Sequence, residues 1–556
     1  MLSSSNGRHP VEEAANRMMV LITRSEWKWL LGAVAVILLL TSLPVISGHV
    51  FEPNDRVFNG AIYDRYDYSV HLASMQHGAR GNWTYQFMYT TEEGGEAYLK
   101  LSYILMGQLA GALGLDLAAA YQLFRLLTGG IALVAVYFYM AHGFNSVALR
   151  RTGFALAAAA SGIGWLLLIL GWLPQPQVSP IDFWLIDVYV FFSIATFPHF
   201  SMMMVLLMAM ALGYLRFAMT KKVAYWLVAV LAGLIMLPLQ PFTVALGDLA
   251  AFGAILAAWR ARKYVRILDL GPYLVLVAFQ LPAILYYREL IETDPIWSEF
   301  ASQNVVLSPS PIYFLFGIGL VAPLAIWGAW IAYKRRMLLG LQSLFWSASA
   351  LLLSFSPTLI QRRFALALMV PMALLATTGL GYGFLPALRK TRHAWVRPRR
   401  GTLLMLCVAA TLPSTLYLAT GGALYASITP ETLYDPTSLH DAINWLSETA
   451  TPSEAVMASE ETGLMIPAFA GIRAFVGHPM ETLRYENKVE LAERFFASDG
   501  MTVAERRELL RDCSCDWVLV GPYEHSDSSL RLPDELLLRY DRGGVKIYQH
   551  LNNDEI

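Results

Sequence analysis

Most of the chain alternates long apolar runs with short polar loops. Runs long enough to cross about 30 Å of hydrocarbon fall at 27–47, 121–142, 152–172, 198–218, 223–240, 242–260, 268–286, 311–333, 338–355, 364–386 and 402–424, which predicts about eleven transmembrane helices. One further apolar segment, 97–114, would invert every later loop if it spanned, so it is read as an amphipathic helix lying in the interface. After Leu424 the period changes. Helical patterns at 437–450 and 487–511 alternate with short apolar strands at 454–458, 472–476 and 516–520, and Asp541-Arg542-Gly543-Gly544 marks a hairpin turn. The pattern therefore predicts a polytopic α-helical membrane protein with a C-terminal α/β domain. It is divided as an N-terminal segment 1–26, a transmembrane module 27–424 with a long polar first loop at 48–120, and a soluble domain 425–556.

Charge adds an orientation. Basic residues in short loops stay on the cytoplasmic side. Arg150-Arg151, Arg216 with Lys221-Lys222, Arg260 to Arg266, Lys334 to Arg336, and the cluster from Arg389 to Arg400 occupy every second loop. The N-terminus is then cytoplasmic, while loops 48–120, 173–197, 287–310 and 356–363 and the domain 425–556 lie outside an inner (plasma) membrane. A domain on that side cannot draw on cytoplasmic nucleotide substrates. The run at 27–47 is not followed by a small-residue cleavage site, so it reads as a retained first span. Composition agrees with this class: 56% of residues are hydrophobic and 15% charged, and a net charge of −1 points to membrane lipid rather than nucleic acid. Cys407, Cys513 and Cys515 are too few for a disulfide framework or a zinc site; Cys513 and Cys515 are read as ordinary thiols, with oxidation of the pair outside the cell as the alternative.

The stretch from Asp55 to Trp83 is unusually polar for such a chain. Acids stand at Glu52, Asp55, Asp64 and Asp67, and a helix starting near Asp67 lines Asp67, His71, Ser74 and Gly78 along one face. An acid near a helix N-terminus is stabilised as the anion. The same pattern also suits a capped surface helix with a solvated acidic face, and periodicity does not decide between the two.

One span, an outer loop with acids, a helix ending Gly81-Asn82-Trp83, a second interfacial helix with Lys100, and Arg125 opening the next span together resemble the GT-C superfamily of polyprenyl-phosphate-sugar glycosyltransferases. In that family an acidic pair precedes the Gly-Asp/Asn-Trp ending. Counted back from Gly81, the pair falls on Tyr66 and Asp67, so Asp67 matches the second acid and Tyr66 stands where the first belongs. The resemblance implies Asp67 as the catalytic base, with Asp64 as its assistant or rival. Lys100, Arg125, Arg362 and Arg363 would hold the donor phosphate. The missing first acid favours metal-free catalysis, with a divalent cation (Mg or Mn) as the alternative, and no metal ligands are assigned.

The chemistry asks for such groups. Transfer of a sugar from a lipid phosphate to a hydroxyl needs a base for the acceptor's proton and cations for the leaving phosphate. The implied activity is inverting hexosyl or pentosyl transfer from a polyprenyl-phosphate-linked donor to a glycan, lipid or protein acceptor. Accessory candidates are Asp55, His71, His199, His478 and Glu481. The last two lie in a Gly477-His478-Pro479-Met480-Glu481-Thr482 turn that equally makes a helix cap, and boundary Lys and Arg side chains equally snorkel to headgroups. Asp294 and Glu292 read as solvated loop acids. Asp248 lies inside a span, where acids are costly and often functional. It supports the competing reading of a transporter or flippase for lipid-linked saccharides. A membrane scaffold whose outer domain binds carbohydrate is a third reading.

Overall fold

The computed structural model describes residues 21–172, 178–389, 400–524 and 530–551. Residues 1–20 of the expected cytoplasmic segment, and most of the basic cluster expected between Arg389 and Arg400, lie outside the described residues. The chain divides into two compact units. One comprises Met1–Leu43, Arg125–Leu285 and Val306–Gly421; the other comprises Pro44–Phe124, Tyr286–Val305 and Gly422–Ile556.

The first unit is helical. Among the described residues, six helices are long and apolar enough to cross a membrane: Arg24–Val50, Leu117–Gly143, Pro198–Thr220, Pro241–Arg262, Ile267–Thr293 and Met369–Leu388. Two bent pairs, Pro311–Ile318 with Val321–Arg335 (87°) and Gly401–Ala409 with Pro413–Ser427 (50°), raise the number to eight. Length and composition thus do not reach the expected eleven, for identifiable reasons. The helices Val223–Leu239 and Leu338–Leu353 have 17 and 16 residues, short of about 30 Å at roughly 1.5 Å per residue. The expected span 152–172 is broken into Val147–Ala159 and Gly164–Ile169. At the break, a Cβ on Gly162 would lie 2.1 Å from the Phe316 carbonyl oxygen, so only glycine admits that approach.

Close packing in this unit likewise rests on small residues. The helices Val321–Arg335 and Met369–Gly379 meet where Gly328 lies against the Leu375 carbonyl and Gly379 against that of Leu324, the small-residue contact that lets membrane helices approach. Several charges inside the unit are paired or hydrogen-bonded. Asp269 is bridged by Lys221 and Arg262 at 2.7 Å each, and Glu26 by Arg150 at 2.9 Å with Tyr137 donating to the same carboxylate. Asp248 accepts from Gln280 Nε2 at 3.0 Å.

The second unit is built on a five-stranded sheet whose strands lie in the order Arg473–Ala474, Ala455–Met457, Trp517–Val520, Val545–His550 and Leu536–Arg542. Its strands are β3 (Ala455–Met457), β4 (Arg473–Ala474), β5 (Trp517–Val520), β6 (Leu536–Arg542) and β7 (Val545–His550). β3 pairs in parallel with β4 and β5, and β7 pairs antiparallel with β5 and β6. The β6–β7 hairpin turns at Gly543-Gly544, both with positive φ, as the Asp541–Gly544 signal anticipated. Helices Thr437–Thr449, Tyr485–Phe496 and Val503–Asp512 accompany the sheet. The apolar cores hold Ile443, Leu446, Val456, Ile472 and Ile547 in one cluster and Phe475, Phe495, Leu510 and Val518 in another. The pattern expected as one helix over 487–511 is two, because Thr502 caps the second, accepting from Glu505 N while Glu505 returns a bond to Thr502 N. Cys513 and Cys515, expected as thiols, are joined as a disulfide.

This unit takes in far more than the residues after 424. β1 (Arg56–Phe58) pairs antiparallel with β2 (Tyr434–Pro436), which ties the first polar loop to the C-terminal segment. The loop then carries two crossed helices, Arg65–Ala79 and Leu101–Leu113. The second has 13 residues, too short to span. Its outward side is apolar rather than polar, with Leu105, Leu109 and Leu113 exposed. Segment 286–305 belongs here too. Its helix Pro295–Gln303 buries Trp297 against Tyr85 and Phe87 and is capped by Asp294, which accepts from Ile296 N, Trp297 N and Gly95 N. Asp294 is therefore a structural cap rather than a solvated acid.

Candidate functional site

The first polar loop turns helical because Asp64 caps it. The Asp64 carboxylate accepts from Asp67 N at 3.1 Å, and the helix begins at Arg65. Asp67 then occupies the first turn, where the helix N-terminus favours its anion. The helix ends at Ala79, Gly81 reverses the chain at φ +91°, and the Asn82 amide donates to the His77 carbonyl. The face predicted to carry Asp67, His71, Ser74 and Gly78 is not solvated beyond Asp67. His71 is buried and stacks on Tyr103 at 4.0 Å, and Gly78 lies against the Ile104 carbonyl where the two helices cross.

The turn Gly477–Thr482 follows β4. His478 O accepts from Glu481 N and Thr482 N, while Thr482 Oγ1 accepts from Gly477 N and donates to Tyr89 O. This is the tight turn the sequence suggested, yet it also carries site groups. His478 Nε2 lies 3.4 Å from Asp67 Oδ1, with the histidine side chain 7% and the aspartate side chain 32% exposed. His478 Nδ1 accepts from Met480 N at 3.1 Å. Burial pulls the imidazole below its ordinary value, against the opposing influence of Asp67.

Glu481, 3% exposed, meets Lys100 Nζ at 2.5 Å and accepts from the Tyr85 hydroxyl. Lys100 also sits 4.6 Å over the Tyr85 ring. Lys100 precedes the helix Leu101–Leu113 in a left-handed conformation, φ 50°. Burial, with the charge of Asp67, pushes the Glu481 carboxyl well above its usual range, while the ammonium at 2.5 Å works the other way. Tyr66, where the family's first acid belongs, donates to Glu460 Oε1 at 3.0 Å and sets its ring edge-on to His478 at 6.0 Å. Glu460 also receives the Tyr485 hydroxyl at 2.6 Å. Burial and Glu460 push the Tyr66 phenol up to about 12.

Asp67, Lys100, His478 and Glu481 are thus brought together, with Asp64 one turn away from Asp67. Asp55 is exposed, and its carbonyl accepts from Thr437 N. The remaining candidates belong to the helical unit. Arg125 is 2% exposed and donates to Ile194 O, Thr41 O and Ser42 Oγ. Arg362 lies over the Trp184 ring, Arg363 meets Asp187 at 3.6 Å, and His199 packs against Phe197 and Phe200. Tyr85, Glu460 and Tyr485 were not anticipated. Tyr85 bonds Glu481 across 396 positions, Glu460 bonds Tyr66 across 394 and Tyr485 across 25, and none of these spacings leaves a local signal.

The donor set does not fit a divalent cation. Beside Asp67 stands the His478 imidazole, and the nearby carboxylates are engaged elsewhere: Asp64 caps its helix, Glu460 accepts from the Tyr66 hydroxyl and Glu481 is paired with the Lys100 ammonium. Among the described residues no three His, Cys, Asp or Glu side chains are grouped to hold a metal ion.

No protein-family profile matches the chain, and no curated protein matches it by sequence. Solved structures do. The archaeal oligosaccharyltransferase AglB from Archaeoglobus fulgidus, in complex with an inhibitory peptide and a dolichol-phosphate, matches over 96% of this chain and 75% of its own, with 13% identity and a TM-score of 0.51. A second structure of the oligosaccharyltransferase from that organism, tethered to an acceptor peptide, matches over 95% and 74%, with 14% identity and a TM-score of 0.50. ArnT from Cupriavidus metallidurans, bound to undecaprenyl phosphate, matches over 95% and 98%, with 14% identity and a TM-score of 0.46. The chain is an integral membrane protein with the GT-C fold, as its first loop and span pattern led us to expect.

Proposed function

We propose that this protein is a glycosyltransferase that moves a sugar from a polyprenyl-phosphate donor to a hydroxyl on an extracytoplasmic glycan, lipid or protein. Glycosyl transfer is the activity of the oligosaccharyltransferases whose fold it shares, and one of them is complexed with a dolichol-phosphate. The observation that carries the proposal is Asp67: an acid in the first turn of a loop helix, partly exposed, beside one imidazole and close to a paired lysine. Asp67 takes the acceptor's proton as the acceptor oxygen attacks the anomeric carbon. The bond from that carbon to the phosphate oxygen breaks on the opposite face, so configuration inverts. Polyprenyl phosphate leaves with both electrons of that bond, and Lys100 meets its charge. In this reading Asp64 serves as the helix cap rather than as the base, and no step runs through a metal. Arg362 and Arg363 keep the donor role that the resemblance implies. Arg125, enclosed by backbone carbonyls, holds its helix in place.

The test uses purified protein in nanodiscs with labelled polyprenyl-phosphate sugars, following sugar transfer and polyprenyl phosphate release. Asp67→Asn is expected to abolish release, while Asp64→Ala, which removes the capping oxygen, keeps turnover and loses stability. Full activity in Asp67→Asn, or transbilayer movement of the lipid without any transfer product, overturns the proposal.

A further inference from the structure

The geometry points to His478 as a positioning residue for the base: its buried imidazole is locked as the Nε2–H tautomer by the Met480 backbone and holds Oδ1 of Asp67 in a fixed direction. This rests on the reading of Asp67 as the base. The tautomer follows from hydrogen-bond direction. A backbone N–H can only donate, so His478 Nδ1, 3.1 Å from Met480 N, must be the unprotonated nitrogen. The proton is then on Nε2, which faces Asp67 Oδ1 at 3.4 Å. Hydrogen bonds at catalytic groups are often long before substrate binds and tighten in the reacting complex.

The imidazole is held on every side. The Gly477–Thr482 turn closes on its carbonyl, Tyr66 packs edge-on at 6.0 Å, and Tyr89 lies at 6.1 Å. Burial keeps it neutral near pH 7. A neutral N–H donor gives Asp67 direction without cancelling its charge, whereas an imidazolium would make it a poorer base.

The electrostatic surroundings show why such a donor matters. Charged groups near Asp67 include Asp64 from its own turn, Glu460 behind Tyr66, and Glu481 with its counter-ion Lys100. The carboxylates of Asp64 and Glu460 favour protonation of a neighbouring carboxyl. The His478 N–H opposes them by favouring the anion. Removing it raises the Asp67 pKa, and one charge-assisted hydrogen bond corresponds to about one pH unit.

The test compares pH profiles of kcat/KM for wild type, His478→Phe and His478→Gln in nanodiscs. Phenylalanine keeps a ring without a donor, whereas glutamine places an amide N–H near the Nε2 position. The acid limb is expected to move up by about one pH unit in His478→Phe and to return toward wild type in His478→Gln. A uniform loss in His478→Phe with the limb unmoved reduces His478 to packing and overturns the inference. If Asp67→Asn is fully active, the parent reading fails instead, so the two failures are distinguishable. A second measurement does not depend on how the variants fold. In ¹⁵N-histidine-labelled wild type, the His478 resonances, identified by difference from His478→Gln, should show protonated Nε2 and bare Nδ1 at pH 7. The opposite tautomer, or an imidazolium, overturns the inference.

Discussion

Replacing Gly107 by alanine tests whether the crossing of the two loop helices sets the site. A Cβ on Gly107 would lie 2.0 Å from the Met75 carbonyl oxygen, and one on Gly78 would lie 2.1 Å from that of Ile104. Carbon approaches such an oxygen no closer than about 3 Å, so the helices must separate by about 1 Å. Backbone atoms stand on the far side, so no side chain can swing away. Alanine gains about 1 kcal/mol of helix propensity over glycine, against an overpacking cost of about 1–3 kcal/mol or more. Opening the crossing also loosens the His71–Tyr103 stack. With the cost at the upper end of that range, because the contact is backbone, the expected net loss is about 2 kcal/mol, seen as a fall of about 5 °C in Tm for a domain of this size. Activity should suffer more than stability. Asp67 rides on one helix and Lys100 begins the other, and a misplacement of about 1 Å can cost about 100-fold in rate. The assay is differential scanning fluorimetry with donor turnover on the same preparation. Gly32→Ala is the control, since nothing lies within 4 Å of a Cβ there, and it should match or slightly exceed wild-type stability. Wild-type Tm and turnover in Gly107→Ala, or equal damage in both variants, would refute the reasoning.

Three further outcomes follow from the second unit. Asp294→Ala removes the cap of Pro295–Gln303 and the bond to Gly95 N; a loss of about 1–2 kcal/mol should appear as faster hydrogen exchange over 286–305 and 92–97. Arg506→Met leaves the carbonyls of Phe495, Ala497, Met501 and Arg531 without the guanidinium that they share, and a loss of about 3–5 kcal/mol should lower Tm and expression together. His478 makes stability pH-dependent. Its folded pKa is depressed by burial, so on acidification the unfolded chain binds the proton first, and stability is lost as pH falls below about 6.5. Tm measured from pH 7.5 to 5.5 should fall less in His478→Gln than in wild type; parallel curves would contradict the assignment.

Much of the fold was legible because burial of apolar surface writes itself locally. Each expected span contains helix, and the strand runs and the hairpin at Gly543-Gly544 follow from local periodicity or turn chemistry; the helix expected from about Asp67 begins at Arg65, because Asp64 caps it. Where expectation and structure part, a nonlocal contact is responsible. The break at Gly162 answers the Phe316 carbonyl, and the face with His71 and Gly78 answers a helix some thirty residues on. The capping box at Thr502 and Glu505 was present in the sequence, yet the amphipathic pattern on either side hid it. The site was half legible. Asp67 and Lys100 came from a local resemblance, whereas His478 and Glu481 looked like a turn, which they also are. Only folding brings the residues of that turn within reach of a loop about four hundred positions earlier.

The central claim is that Asp67 is the base and not a binding group. The most direct measurement takes Asp67→Asn in nanodiscs and determines donor affinity and single-turnover rate side by side, with labelled polyprenyl-phosphate sugar. Asparagine keeps the size and the contact to His478 but cannot take a proton. The account predicts donor affinity within about threefold of wild type and a rate lower by about 10²–10⁴-fold. A rate close to wild type, or a loss that lies entirely in donor affinity, would contradict it.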